Sequence, residues 1–407
     1  MICCVAQLGH RMEGKVLAAA AICTAAICTA GMLMADFDGG ALRSAAQSRT
    51  VDSVFSDLVK PNEPGLAVLV RSSGRDVYRR GFGVRDLRSK APIDAATNFR
   101  LASFTKQFTA MGIMLLVHDG KLRYDRRLTE VFPDFPAYGA GITIRNLLNH
   151  TAGLPDYEDL MDAVEKRDGA KWSAERQIQD DEVLNLLKHE SHGKFLPGTS
   201  WDYSNSGYVV LGAVIAKITG KTYGDYLQQR IFAPLRMNHT LAYVKGKNEP
   251  ANRAYGYGED ANGFHETDQS ATSATLGDGG IYSNLEDLAK WDDALRSHTL
   301  LSEEEMKPAL TPATLNDGSE PHWPVQANED NLHPGKAVSY GFGWFLDAYE
   351  LHGKHSRMYH TGTTSGFRTA IERFSEQNCT VIILSNRTDL DVDNLALQVA
   401  GNYPALK

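Results

Sequence analysis

Three short stretches of this 407-residue chain carry side chains that can make and break acyl bonds. The first is Ser103-Phe104-Thr105-Lys106, which heads a strongly apolar run. A serine in that place meets the positive end of a helix dipole, which favours an alkoxide and a nearby oxyanion. Lys106 lies three residues on and shares a helical face with Ser103. A lysine one turn from a serine can take its proton once desolvation lowers the lysine pKa. Taken alone, the pattern fits an N-cap serine followed by a solvated lysine better. Ser191-His192-Gly193-Lys194 repeats the spacing in a Gly-containing loop with no apolar helix behind it.

The second stretch is Tyr203-Ser204-Asn205, shortly after Pro197-Gly198. A phenol shuttles protons where a neighbouring cation favours phenolate, and Asn205 offers both a donor and an acceptor. The tripeptide alone reads more simply as a buried tyrosine and a helix cap. Tyr282-Ser283-Asn284 repeats it and reads as a strand end feeding a helix capped by Asn284. The third stretch is His360-Thr361-Gly362, just before a strand at 366–374. A glycine there lets a substrate backbone approach a sheet edge. The Thr363 amide can then donate to an oxyanion together with the Ser103 amide. By itself the tripeptide reads as an ordinary turn.

The elements that must hold these residues follow from periodicity. A polar helix is predicted over 41–60, broken by Pro61 and Pro64, and then a hairpin of strands at 66–71 and 77–82. A helix over about 103–118 ends at Asp119-Gly120. Helical stretches follow at 181–189, 206–219, 223–230 and 284–296, joined by Gly/Pro loops. Strands return at 342–348, 366–374 and 380–385, and a last helix spans 392–401. The stretch 313–338 reads as a surface loop. Strands at both ends around a helical insert imply an α/β fold. Its antiparallel sheet is built from both termini, with terminal helices packed on it and a mostly helical lobe alongside. The cleft between sheet and lobe is the expected active site.

Composition narrows the function. The net charge of −8 argues against a general nucleic-acid binder, which needs a basic face. Of five cysteines, only Cys379 lies beyond residue 28, so a chain cut after residue 35 has no internal disulfide. Residues 16–35 are uncharged and mostly apolar, after Arg11 and Lys15, and read as the end of a signal peptide over 1–35. An uncleaved anchor is the alternative, since about 20 residues can cross a bilayer. No later stretch is long and apolar enough to span one. The reading is therefore an exported protein, periplasmic or secreted. Asp389-Leu390-Asp391-Val392-Asp393 lacks the EF-hand glycine and glutamate, and His189-Glu190-Ser191-His192 is not HExxH. Gly220-Lys221-Thr222 lacks the first P-loop glycine. His352 and His355 read as a solvated loop pair. No metal or organic cofactor is expected.

The order Ser-x-x-Lys, Tyr-x-Asn and His-Thr-Gly resembles the serine β-lactamase and penicillin-binding-protein superfamily. The likeness is to the branch of class C β-lactamases, DD-peptidases and related esterases. Leu147-Leu148-Asn149-His150-Thr151-Ala152-Gly153-Leu154-Pro155, Gly279-Gly280-Ile281-Tyr282-Ser283 and Gly366-Phe367 are also similar to that branch. The resemblance covers about 45–400. It implies a β-lactamase/transpeptidase-like domain over 41–407, with sheet regions at about 41–102 and 336–407 and a lobe at about 103–335. It also implies that Ser103 is the acylated nucleophile, Lys106 its activating partner and Tyr203 a base or relay. Asn205 would hydrogen-bond the acyl side chain. His360, Thr361 and Gly362 would line the sheet edge, and the Thr363 amide would complete an oxyanion hole. One departure stands out: efficient class C β-lactamases carry Lys at the place of His360, and a histidine is mostly neutral at pH 7. Arg357 and Arg368 are near enough in sequence to supply a cation instead. The resemblance thus implies a serine hydrolase acting on a small-molecule or peptide substrate: D-amino-acid peptides or small esters. The alternatives are a true β-lactamase and a non-catalytic scaffold of the same fold.

Overall fold

Apolar runs at both chain ends pair as neighbouring strands of one sheet. The structure, a computed structural model, describes residues 48–326, 333–350 and 354–403. It divides into Met1–Val54, whose described residues 48–54 are helical, and Phe55–Lys407. The proposed signal segment 1–35 and residues 41–47 of the predicted first helix lie outside the described residues.

In the larger unit, β1 (Leu66–Ser72) and β2 (Arg75–Phe82) form the hairpin, turning at Ser73-Gly74 with both residues at positive φ. The short strands β3 (Phe99–Arg100), β4 (Leu241–Ala242), β5 (Tyr257–Asp260), β6 (Gly263–Glu266) and β7 (Ile281–Ser283) lie within the insert. The chain then returns through β8 (Phe345–Glu350), β9 (Lys354–Thr364), β10 (Phe367–Phe374) and β11 (Cys379–Ser385). The six-stranded order is β2-β1-β11-β10-β9-β8, antiparallel throughout. β1 and β11 are apolar on successive residues, and both faces are buried, as expected for strands covered on two sides.

The insert is mostly helical. α1 (Lys106–His118) buries every residue from Lys106 to Leu116, because its sequence is apolar nearly all round. α2 (Tyr157–Asp168) and α3 (Asp180–Lys188) follow. α4 (Asn205–Thr219) starts where the Ser204 hydroxyl accepts from the Gly207 amide, and it stops at Gly220, left-handed at φ +68°. α5 (Leu285–Arg296) is capped by Asn284, as the second Tyr-Ser-Asn copy predicts. α6 (Val392–Ala400) packs on β10 and β11.

Four expectations are corrected. The helix predicted from 103 begins as a 3-10 turn, Ala102–Thr105, because Ala102 is left-handed at φ +51°. The His-Thr-Gly stretch is not a turn before a strand but the C-terminal half of β9, whose polar sequence hides its strand character. Residues 354–355 likewise begin β9, so His355 does not lie in a loop. The stretch 313–338 is not all surface: Trp323 and Val338 pack with Trp201, Tyr340 and Phe345. Among the described residues, no helix is long and apolar enough to cross a membrane.

A buried ion network ties α5 to the sheet. Asp292 accepts from Arg71 of β1 at 3.0 Å, Arg373 of β10 at 2.9 Å and Thr380 of β11 at 2.8 Å. Removing Asp292 takes the carboxylate from buried Arg373, while Arg71 keeps Asp76 and Asp293. Asp292→Ala is expected to cost about 3 kcal/mol in urea denaturation. A loss below about 1 kcal/mol would mean that Arg373 re-pairs elsewhere.

Candidate active site

Two of the three sequence motifs, Ser-x-x-Lys and Tyr-Ser-Asn, meet at one buried nitrogen. Lys106 Nζ donates to Ser103 Oγ at 3.0 Å, to Asn205 Oδ1 at 2.8 Å and to the Asp278 carbonyl at 3.2 Å. These described acceptors are neutral oxygens, and an ammonium has three donors to give them. A neutral amine in the same place turns its lone pair to the Ser103 hydroxyl. Lys106 is completely buried and Ser103 only partly, so solvent reaches the serine and not the lysine. Tyr203 closes the other side: Lys106 Nζ lies 4.8 Å from its ring centroid. The ring is also stacked on Phe345 and tilted against His150, 4.5 Å away.

Close backbone approaches fix the serine. The Leu101 amide donates to the Ile281 carbonyl of β7. The Leu101 carbonyl accepts from Thr369 Oγ1 of β10 at 2.7 Å. Gly362 of β9 lies directly against this turn: a Cβ there would be 2.3 Å from the Leu101 oxygen and 2.4 Å from Thr369 Oγ1. Only a glycine allows that contact. It brings Thr361, Gly362 and Thr363 alongside Ser103. β8 pairs with β9 no further than Phe345↔Tyr359, so residues 360–364 extend past it, with β10 pairing along their other side.

A cleft of about 690 Å³ opens next to this edge. Asn205, Thr363, Thr364 and Arg368 line one side, and Glu158 and Asp162 of α2 line another. That is the size range of small-molecule sites. Of the two arginines considered from sequence, Arg368 reaches the cleft, directly across the ladder from Thr363. Arg357 is instead buried against Glu372, at 2.5 and 2.8 Å, and Asp393.

His360 is turned inward. Its Nδ1 bonds the Thr361 carbonyl at 2.6 Å and its Nε2 meets the Tyr340 hydroxyl at 3.1 Å. A carbonyl only accepts, so Nδ1 carries the proton and Nε2 accepts from Tyr340. Burial, then the neighbouring Lys106, pushes its pKa down to about 3. It supplies no cation at neutral pH, and its ring does not line the cleft. Three site residues escaped the sequence reading, Thr369, Asp278 and Tyr340, and a fourth, His150, lies in the Leu147–Pro155 stretch likened to the family but was given no role. Each acts through a contact across at least 20 residues of chain, and for the first three no local pattern marks it.

The buried imidazole has a consequence for stability. As pH falls through about 6.5, the unfolded chain protonates His360 and the folded protein does not, so the unfolded state binds more protons and stability falls. His360→Gln keeps an acceptor toward Tyr340 and removes the titration. Chemical denaturation is expected to show wild type losing ground to this variant below pH 6.5, by up to about 1.4 kcal/mol per pH unit. A gap that stays constant from pH 7 to 4.5 would show that His360 is protonated in the folded protein.

A family model described as Beta-lactamase matches residues 51–401. Penicillin-binding protein 4* of Bacillus subtilis (strain 168) is 31% identical over 363 residues, covering 86% of this chain and 74% of that protein. The D-aminopeptidase of Cereibacter sphaeroides (strain KD131 / KCTC 12085) is 32% identical over 237 residues, but this covers only 57% of this chain and 44% of that one. The crystal structure of D-amino acid amidase from Ochrobactrum anthropi SV3, complexed with L-phenylalanine amide, superposes with a TM-score of 0.68 at 25% identity, covering 88% of this chain and 99% of the other. The chain belongs to the Beta-lactamase family and is a serine hydrolase of the β-lactamase/transpeptidase-like fold.

Proposed function

We propose that the protein forms an acyl-enzyme at Ser103 from a small amide or ester and releases it to water. The observation that carries this reading is the 3.0 Å contact between Ser103 Oγ and the buried Lys106 nitrogen. In the acylation step, neutral Lys106 takes the hydroxyl proton while Oγ bonds the substrate carbonyl carbon. The amides of Ser103 and Thr363 receive the oxyanion. The carbon–nitrogen or carbon–oxygen bond then breaks. The leaving group takes the proton back from Lys106, directly or through Tyr203. Water repeats the sequence and frees the acid.

Favoured substrates are D-amino-acid peptides or small esters, extended along residues 361–363, with Asn205 facing the acyl side chain. Support comes from two relatives whose names denote D-amino-acid chemistry, a D-aminopeptidase and a D-amino acid amidase. His360 has no place at the substrate in this reading and serves as part of the wall. Arg368 favours a second reading, slow β-lactam turnover, because it offers the cleft a cation for a carboxylate. The apolar stretch 16–35 supports export.

Intact-mass measurement after a fluorophosphonate probe tests the site. One adduct is expected on wild type and none on Ser103→Ala. Lys106→Ala should label slower by at least about a hundredfold. An adduct on folded Ser103→Ala would remove the nucleophile assignment, and a Lys106→Ala loss below about tenfold would make the lysine structural.

A further inference from the structure

The stretch 150–153 lies under the proposed site without entering its chemistry. It holds the loop that delivers Tyr203. The Lys194 amide donates to the Gly153 carbonyl at 2.8 Å and the Gly198 amide to the Thr151 carbonyl at 2.8 Å. Nearer the tyrosine, both bonds go to one residue. The Asp202 amide donates to the His150 carbonyl at 3.1 Å, and the Ser204 amide donates to His150 Nδ1 at 3.0 Å. Tyr203 is therefore bracketed by two bonds to His150, whose ring also lies 4.5 Å from the phenol ring.

We propose that His150 is the positioning residue for Tyr203, holding the relay phenol beside Lys106 through the Nδ1 acceptor that ties the Ser204 amide. This inference rests on the role given to Tyr203 above. Accepting at Nδ1 requires the neutral ring with its proton on Nε2. An imidazolium would turn a second N–H toward the Ser204 amide and place a cation near Lys106. The surroundings oppose that state. Among the described residues, the groups facing the ring are Lys106, His360 and the rings of Trp201, Tyr203, Tyr208 and Tyr340, with no carboxylate among them. Burial and Lys106 both hold the imidazole well below its ordinary pKa. Two further features set this histidine apart from an ordinary core residue. Among the described residues its Nε2–H is buried with no hydrogen-bond partner, a cost that an apolar side chain would avoid. Its backbone is left-handed at φ +63°, a region that suits asparagine and histidine better than most residues and that clusters at functional sites. Both costs make sense if the Nδ1 acceptor is what the position requires.

The test compares His150→Asn with His150→Leu. The two replacements share one branched outline and both lose the ring, but only asparagine puts an oxygen where Nδ1 was. The readout is the fluorophosphonate labelling rate of Ser103 by intact mass, on protein shown folded by near-UV circular dichroism. Asparagine is expected to label within about threefold of wild type, and leucine at least about tenfold slower. In a Tyr203→Phe background the leucine change should alter the rate less than about threefold, because the group it positions is gone. Leucine labelling at the wild-type rate overturns the inference, as does folded asparagine variant as slow as leucine. If the leucine variant does not fold, the asparagine variant decides by the same limits. An unlabelled wild type overturns the proposed function itself, whereas normal labelling of both variants overturns only the role of His150.

Discussion

A buried amine joins three parts of the chain that sequence keeps far apart. Lys106 Nζ meets Ser103 one turn away, Asn205 at the head of α4 and the Asp278 carbonyl just before β7. A polar nitrogen in an apolar core must find such partners, because an unsatisfied one would be strongly destabilising. The requirement sets where α4 and the 278–280 segment sit relative to α1. The backbone on either side of the serine and lysine is also closely packed. A Cβ on Gly343 would lie 2.9 Å from the Lys106 carbonyl oxygen, as Gly362 is crowded by Leu101. The site thus combines polar partners for one buried side chain with close packing of the backbone that carries it.

The histidine at 360 fits the same logic. A lysine in its place would bring a second ammonium toward Lys106 and would have to displace the Tyr340 hydroxyl. The neutral imidazole instead accepts one hydrogen bond and donates another within an aromatic wall that includes Tyr203, Tyr340 and Phe345. Positive charge at the cleft is moved outward to Arg368, whose guanidinium donates to the Thr364 and Phe367 carbonyls. The cleft therefore keeps a cation, but on the β10 side and away from the buried wall.

Sequence reasoning reached the architecture because the signals were local. The hairpin, the apolar α1, the Ser204 and Asn284 caps and the terminal strands each declare themselves within a dozen residues. It also brought Ser103, Lys106, Tyr203 and Asn205 together, through motif order and resemblance. It missed β9 because Lys354–Thr364 is polar, carries Arg357 and His360, and gains its strand form from neighbours on both sides. It could not see that Asn205 anchors the lysine. Nor could it see that Thr369, from β10, pins the backbone before the serine. Those contacts span 99 and 268 residues, and no pattern along the chain encodes them.

Strain and support are divided between the two sides of the site. Ala102 and His150 both sit in the left-handed region, one immediately before Ser103 and the other beneath Tyr203. Such residues persist only where their surroundings over-determine them. For Ala102 the support is the sheet: Leu101 is bonded to β7 and β10 and faces Gly362 of β9, with the fully buried strand β11 behind. For His150 it is a ladder of single amide bonds to the 194–204 loop, with aromatic rings around it. The nucleophile is therefore held by bonds to two strands and the tyrosine by bonds from its loop to one stretch. A proton relay tolerates that division, because a hydroxyl can rotate to its partner whereas a carbon–oxygen bond must form along one line.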